Sequence, residues 1–98
     1  MTAEAKVKKW VKEVLNALGA YYAMPATGGY GSSGVPDFLV CYKGRFIGIE
    51  CKAGKGKTTA LQEKNLRLIQ EAGGEAFVVN EENVTTLKFI MESLYEQE

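Results

Sequence analysis

The feature of this chain that most constrains its fold is a pair of apolar segments separated by two residues. The segments cover positions 37–42 and 45–52, and both are rich in β-branched and aromatic residues. Lys43-Gly44 between them is a plausible two-residue turn, although it is a weaker signal than Asn-Gly. The sequence therefore predicts a β-hairpin in which Tyr42 pairs with Arg45.

The register of this hairpin places two acids opposite each other. Counting back from the turn puts Asp37 opposite Glu50, with Leu39 opposite Gly48 between them and the turn. Opposed side chains lie about 5 Å apart at Cβ, and like charges there destabilise a sheet. Lys52 falls on the same face as Glu50 because strand side chains alternate. The predicted arrangement therefore needs positive charge to offset the two carboxylates.

Two carboxylates with an ammonium two residues away are a layout for metal-assisted phosphoryl chemistry. A divalent cation would neutralise the acids and lower the pKa of a bound water. Lys52 would orient that water or stabilise the charge that develops on the phosphate. The alternative is that Lys52 merely pairs with Glu50 on a solvated face. The position of Asp37 opposite Glu50, between Gly-rich and basic segments, favours the catalytic interpretation.

These residues and their order resemble a known group of enzymes. Pro36-Asp37, Glu50-Cys51-Lys52 and a downstream Gln62 look like the PD-(D/E)xK nuclease superfamily. The fuller series is similar to the virus-type replication-repair nuclease (VRR-NUC) family, and comprises Glu4, Gly34-Val35-Pro36-Asp37, Ile49-Glu50-Cys51-Lys52, a Lys/Thr stretch and Gln62. The resemblance covers roughly residues 4 to 79. It implies an α/β fold in which a small mixed sheet is flanked by helices, restriction-endonuclease-like, in the order αβββαβα.

The resemblance also implies a set of metal ligands. Asp37 and Glu50, with the backbone carbonyl of Cys51, would bind Mg²⁺ or Mn²⁺. Glu4, in a first helix, would contribute to the metal site through a water. The residues themselves leave a second explanation open for Glu4, since an acid near a helix N-terminus complements the helix dipole.

Two further residues receive catalytic roles from the resemblance. Lys52 would be the catalytic lysine, and Gln62 would lie near the scissile phosphate. Thr59-x-x-Gln62 also matches a capping box, so Gln62 has a structural role available. The resemblance implies that the substrate is DNA, either duplex DNA or branched DNA such as Holliday junctions or flaps, as in junction-resolving nucleases. It also implies a homodimer of bacterial or phage origin.

Histidine and cysteine usage narrows the possible chemistry. The chain has no histidine, which leaves carboxylates, lysine, tyrosine and metal-bound water for acid–base work. Cys41 and Cys51 fall on opposite faces of the predicted hairpin, and there is no C-x-x-C motif. A disulfide and a zinc site are therefore not expected. Both cysteines lie in apolar segments and are expected to be buried.

The distribution of charge indicates a nucleic-acid partner even though 12 basic residues balance 12 acidic ones. Positions 43–67 carry most of the basic residues, and glutamates dominate from position 71 onward. We expect Lys55, Lys57 and Lys64 to contact DNA, together with Tyr30 from the Gly-rich segment. The lysines of the first helix are interpreted as solvated: Lys6, Lys8, Lys9 and Lys12. The competing hypothesis is a non-catalytic nucleic-acid-binding module.

The remaining segments predict the other elements of one small domain, residues 1–98. Helices are expected over 3–18, from Thr58 or Thr59 to Ala72, and over 83–95, with strands over 20–24 and 75–79. The last helix has apolar residues on more than one side, which burial within the domain or a subunit contact would explain. So short a chain favours a dimer. With no run of eighteen apolar residues, we expect a soluble, cytoplasmic protein that does not enter a membrane.

Overall fold

A four-stranded mixed sheet with helices on both faces forms the framework of the computed structural model, which describes residues 1–26 and 34–96. The elements follow the predicted order αβββαβα. They are α1 (Ala3–Leu18), β1 (Tyr21–Ala23), β2 (Phe38–Tyr42), β3 (Arg45–Cys51), α2 (Ala60–Glu71), β4 (Glu75–Val79), a 3₁₀ turn (Val84–Thr86) and α3 (Leu87–Glu96).

The first helix begins and ends where its sequence predicts. The Thr2 hydroxyl accepts a hydrogen bond of 3.1 Å from the Ala5 N–H, and so satisfies one of the unpaired donors of the first turn. Gly19 adopts the left-handed conformation, with φ 71°, and ends the helix. The stripe of buried residues repeats every four positions and consists of Val7, Val11 and Leu15.

The sheet has the strand order β1-β2-β3-β4, and its central hairpin has the predicted register. Tyr42 pairs with Arg45, and Leu39 pairs with Gly48. Lys43 and Gly44 have φ values of 52° and 82°, as a tight turn that matches the twist of the strands requires. Strands β1, β2 and β3 are antiparallel, whereas β4 runs parallel to β3 and is connected to it through α2.

Alternation along β3 divides its side chains between two layers. Ile47, Ile49 and Cys51 belong to the buried core that β2 and β3 form with α1 and α3. Gly48 faces α2, where a Cβ atom would lie 2.6 Å from Ile69 Cδ1. Glu50, two residues further, faces the same side. The last turn of α2 thus packs closely on β3 at Gly48, while the first turn reaches Glu50 through Gln62.

Three expectations need correction. The first strand covers Tyr21–Ala23 and is shorter than predicted. The last helix begins at Leu87, because a 3₁₀ turn over Val84–Thr86 takes the place of its expected first turn. Asn83 instead accepts a hydrogen bond of 2.8 Å from the Asn80 N–H. The prediction that both cysteines are buried is wrong for Cys41, which is exposed, and correct for Cys51. Cys41 is exposed because α2 packs mainly on β3 and β4 and leaves this part of β2 open.

The last helix is only partly explained by packing within the domain. Leu87 and Met91 are buried in the core, whereas Phe89 is 73% exposed. A subunit contact through this helix stays a prediction. None of the helices over residues 1–26 and 34–96 combines the length and apolar character that crossing a membrane requires.

Candidate active site

The open end of the hairpin brings the two predicted acids together. Phe38 and Ile49 form the last pair of the β2–β3 ladder, and Asp37 and Glu50 follow directly on either side. Asp37 was predicted within the strand over 37–42, but it lies in a bend one residue before β2. Its Oδ2 atom accepts a hydrogen bond of 2.9 Å from the Cys51 N–H. The side chain of Asp37 thus closes the hairpin beyond its last strand pair.

Glu50 is the buried charged residue of this end of the sheet, at 3% exposure. Its Oε2 atom accepts a hydrogen bond of 3.2 Å from Gln62 Nε2 and lies 3.8 Å from the ammonium of Lys52. Burial, together with the charge of Asp37 and a hydrogen bond with it, raises the pKa of Glu50 from 4.5 to about 7. Lys52 opposes this rise in pKa, and Glu4 adds to it.

Gln62 uses both ends of its side-chain amide. At the start of α2, the Gln62 Oε1 atom accepts a hydrogen bond of 2.9 Å from the Thr59 N–H. The backbone N–H of Gln62 donates to Thr59 Oγ1 at 3.1 Å. This is the predicted capping box. The Nε2 atom is left to donate to Glu50. The structural role and the position beside the acids therefore coexist, and the catalytic role stays a prediction.

Glu4 faces the same acids from the first turn of α1. Its charge contributes to the raised pKa of Glu50, so its carboxylate is within electrostatic reach of the pair. The cap itself is made by Thr2, which leaves Glu4 free to complement the helix dipole and the site at once. The two positions predicted for Glu4, at the helix dipole and beside the acids, therefore coexist, and its role at a metal through water stays a prediction.

Lys8 is a site residue that the sequence interpretation missed. The sequence predicts a solvated side chain here, but the Lys8 Nζ atom lies 3.5 Å from Asp37 Oδ1 and 3.8 Å from Glu4 Oε2. The available signal was its spacing of four residues from Glu4, which places both on one face of a helix. In the described part of the chain, the carboxylates of Glu4, Asp37 and Glu50 thus share the site with the ammonium groups of Lys8 and Lys52.

The predicted DNA-binding lysines are exposed. Lys55 and Lys57 lie in the connection between β3 and α2, Lys55 within its turn, and Lys64 lies on α2 two residues after Gln62. The turn is held by Glu81, whose Oε1 atom accepts a hydrogen bond of 2.7 Å from the Gly54 N–H. Sequence reasoning gave Glu81 no role. Tyr30 lies outside the described residues.

The oxygen donors of the site suit a hard divalent cation. Among the described residues, no three histidine, cysteine, aspartate or glutamate side chains lie close enough to form a metal cluster by themselves. Magnesium usually takes one or two carboxylates and keeps several waters, so a pair such as Asp37 and Glu50 is sufficient. Burial and the charge of Asp37 raise the pKa of Glu50, and a bound cation would instead favour its charged form.

A cavity of about 390 Å³ lies elsewhere, and its lining contains none of these acids. It is lined by residues of α1 between Trp10 and Ala17 and by residues of the segment 81–88. The polar site at the hairpin end and this largely apolar cavity are therefore separate features.

Comparison with solved structures gives a full-length match. A structure described as a VRR_NUC domain superposes with a TM-score of 0.71 and 28% sequence identity, over 98% of this chain and 97% of that chain. The match confirms the resemblance seen in the sequence and the restriction-endonuclease-like arrangement of a small mixed sheet flanked by helices. No family model matches the sequence, and no curated protein matches it at a significant level.

Proposed function

Because this chain has the fold of a VRR_NUC domain, we propose that it is a nuclease that hydrolyses phosphodiester bonds in DNA with Mg²⁺ or Mn²⁺. One observation carries the proposal. Asp37 just before β2, Glu50 in β3 and Lys52 just after β3 meet at the open end of one hairpin, where Glu50 lies 3.8 Å from Lys52. Gln62 reaches the same point from α2.

The proposed cation ligands are Asp37, Glu50 and the backbone carbonyl of Cys51, with Glu4 acting through a water. All are oxygen donors, as Mg²⁺ and Mn²⁺ prefer. When bound, the cation supplies charge neutralisation for the two acids and Lewis-acid polarisation at the phosphate. The hydrogen bond from the Cys51 N–H to Asp37 ties two of these residues together, so the donor set is held by the strands themselves.

Lys52 is proposed to act on the phosphate. Its side chain is 15% exposed, and its ammonium is held beside Glu50. An ammonium fixed in a partly buried site can donate hydrogen bonds to phosphate oxygens and stabilise the negative charge that develops in the transition state. Gln62 Nε2 donates to the same Glu50 oxygen, Oε2, that lies beside Lys52, and this hydrogen bond limits the rotation of the carboxylate.

DNA is the proposed polymer, held through its backbone by the exposed lysines Lys55, Lys57 and Lys64. Such contacts are independent of sequence and make binding strongly dependent on salt. A chain of 98 residues has little surface for reading bases, which favours recognition of DNA structure over sequence. We propose branched DNA such as Holliday junctions or flaps as substrate, cut by a homodimer whose two-fold symmetry places one site on each strand.

Cleavage assays on a four-way junction, a flap and a linear duplex of related sequence, each with Mg²⁺, Mn²⁺ or a chelator, test this proposal. Lys52→Met and Asp37→Asn are expected to lower the cleavage rate by about 10²-fold or more. Lys12→Met, an exposed change of the same type on α1, is the control and should leave the rate unchanged. Full activity in either site variant would overturn the assignment.

A non-catalytic nucleic-acid-binding module is the second candidate, because the 3.8 Å pair of Glu50 and Lys52 is also what a purely structural ion pair would give. Calorimetric titration with Mn²⁺ separates the two. A nuclease site should bind Mn²⁺ and lose that binding in Glu50→Gln. A binding module should bind DNA in a salt-sensitive way, with neither Mn²⁺ binding nor cleavage.

A further inference from the structure

Lys8 lies within the site, yet the proposed reaction gives it no task. Its Nζ atom is 3.5 Å from Asp37 Oδ1 and 3.8 Å from Glu4 Oε2. These two acids come from different parts of the chain, one from the first turn of α1 and one from the bend before β2. The ammonium of Lys8 is therefore a counter-charge for acids of the proposed cation site.

The two oxygens of Asp37 are held in different ways. The Cys51 N–H donates to Oδ2 at 2.9 Å, and that backbone group is fixed at the end of β3, where the following Lys52 N–H donates to Val79 O at 2.9 Å. The Oδ1 atom instead faces Lys8. Oδ1 is thus the Asp37 oxygen whose partner can be exchanged without opening the sheet.

The side chain of Lys8 is able to move. It is 33% exposed and has four rotatable bonds, so its ammonium can leave Asp37 for solvent. Glu4, one helical turn earlier, gives it a carboxylate on its own helix after it leaves. By contrast, Lys52 is 15% exposed and pairs with Glu50, so it does not cover the same oxygen.

We propose that Lys8 and the divalent cation compete for Asp37 Oδ1, so that Lys8 sets the cation concentration at which the site fills. This inference rests on the metal site of the proposed function. An ammonium and a divalent cation at one carboxylate oxygen repel each other, so the presence of either weakens the binding of the other. Competition for one partner lowers the apparent affinity for the cation. Lys8 is a residue that tunes binding, and its removal should tighten binding.

Calorimetric titration with Mn²⁺ alone, without DNA, tests the competition in the wild type and three variants. Lys8→Met keeps the length of the side chain and removes its charge, and should lower the Kd for Mn²⁺ by about three- to tenfold. Lys8→Arg keeps the charge and should stay near the wild type. Lys12→Met removes the same charge from an exposed position one turn along α1, and should change the Kd by less than about twofold.

Thermal denaturation provides a second measurement. Mn²⁺ should raise the Tm of Lys8→Met more than that of the wild type; Lys8→Gln replaces the Met variant if the latter does not fold. Equal Kd values for wild type, Lys8→Met and Lys12→Met would overturn the competition and leave the metal site standing. Weaker binding in Lys8→Met would also overturn it, since Lys8 would then support the site. Absence of Mn²⁺ binding in every protein would overturn the metal site and the competition together.

Discussion

Gln62 and Glu50 are joined by a hydrogen bond of 3.2 Å from the Gln62 Nε2 atom to Glu50 Oε2. The opposite end of the same amide accepts a hydrogen bond from the Thr59 N–H, which can only donate. The cap therefore fixes the orientation of the amide, and this orientation turns its donor toward Glu50. One side chain couples the start of α2 to the proposed active site.

A pair of substitutions separates these two tasks of Gln62. Thr59→Ala removes the cap hydroxyl and should destabilise the protein by about 1 kcal/mol, with little loss of DNA cleavage. Gln62→Glu keeps an acceptor for the Thr59 N–H, but replaces the donor to Glu50 by a like charge. It should lower cleavage by at least about tenfold. Urea denaturation and cleavage rates check both, and equal losses of activity in the two variants would contradict this division.

The hairpin and its register were predictable because they depend on local sequence. A two-residue turn fixes the pairing, and a period of two then determines which side chains share a face. The position of Asp37 opposite Glu50 follows from counting residues back from the turn. The capping box at Thr59 and Gln62 is also local, and it was predicted for the same reason.

The contact of Lys8 and the exposure of Cys41 could not be predicted from the sequence. The contact of Lys8 with Asp37 depends on how α1 packs on the sheet, and no local pattern specifies this packing. The exposure of Cys41 depends on which strands α2 covers. Both are properties of the tertiary arrangement, whereas an apolar segment indicates only that its residues suit a strand. The roles of the site residues in catalysis remain predictions.

The stability of the protein without metal should fall as the pH rises from about 4.5 to about 7. In this range the folded protein keeps a proton on Glu50, whose pKa is about 7, whereas the unfolded chain, with a pKa of 4.5, releases it. Since the folded state binds more protons, the free energy of unfolding decreases with rising pH. The total loss is on the order of 1–3 kcal/mol, and it is complete above pH 7.

Glu50→Gln should remove this dependence. With a chelator present, the variant is expected to be more stable than the wild type at pH 8 by about 1–3 kcal/mol, and to differ little near pH 4.5. Urea denaturation at the two pH values measures the difference. If the variant and the wild type differed in stability by the same amount at both pH values, the pKa of Glu50 would not be raised in the folded protein, contrary to its burial and its proximity to Asp37.

The two thiols should differ in reactivity. Burial, followed by the charges of Asp37 and Glu50, raises the pKa of Cys51 to about 12, whereas Cys41 is exposed. Because the thiolate is the reactive form, a thiol reagent at pH 8 should label one cysteine in the native protein and both in denaturant. Cys41→Ser is the control and should abolish native labelling. Rapid modification of Cys51 in the native protein would indicate that the hairpin end opens readily.

Gly48 should control how closely α2 approaches the site. A Cβ atom at this position would lie 2.6 Å from Ile69 Cδ1 and 3.2 Å from Pro36 Cγ, so Gly48→Ala should destabilise the protein by about 1–3 kcal/mol. Ile69→Val removes the Cδ1 atom that the new methyl would meet. The double variant should therefore lose less stability than the sum of the two single variants, by about 0.5 kcal/mol or more. If urea denaturation showed that the two stability losses simply add, the whole of α2 would be displaced by the new methyl group. DNA cleavage should then fall, because Gln62 would move away from Glu50.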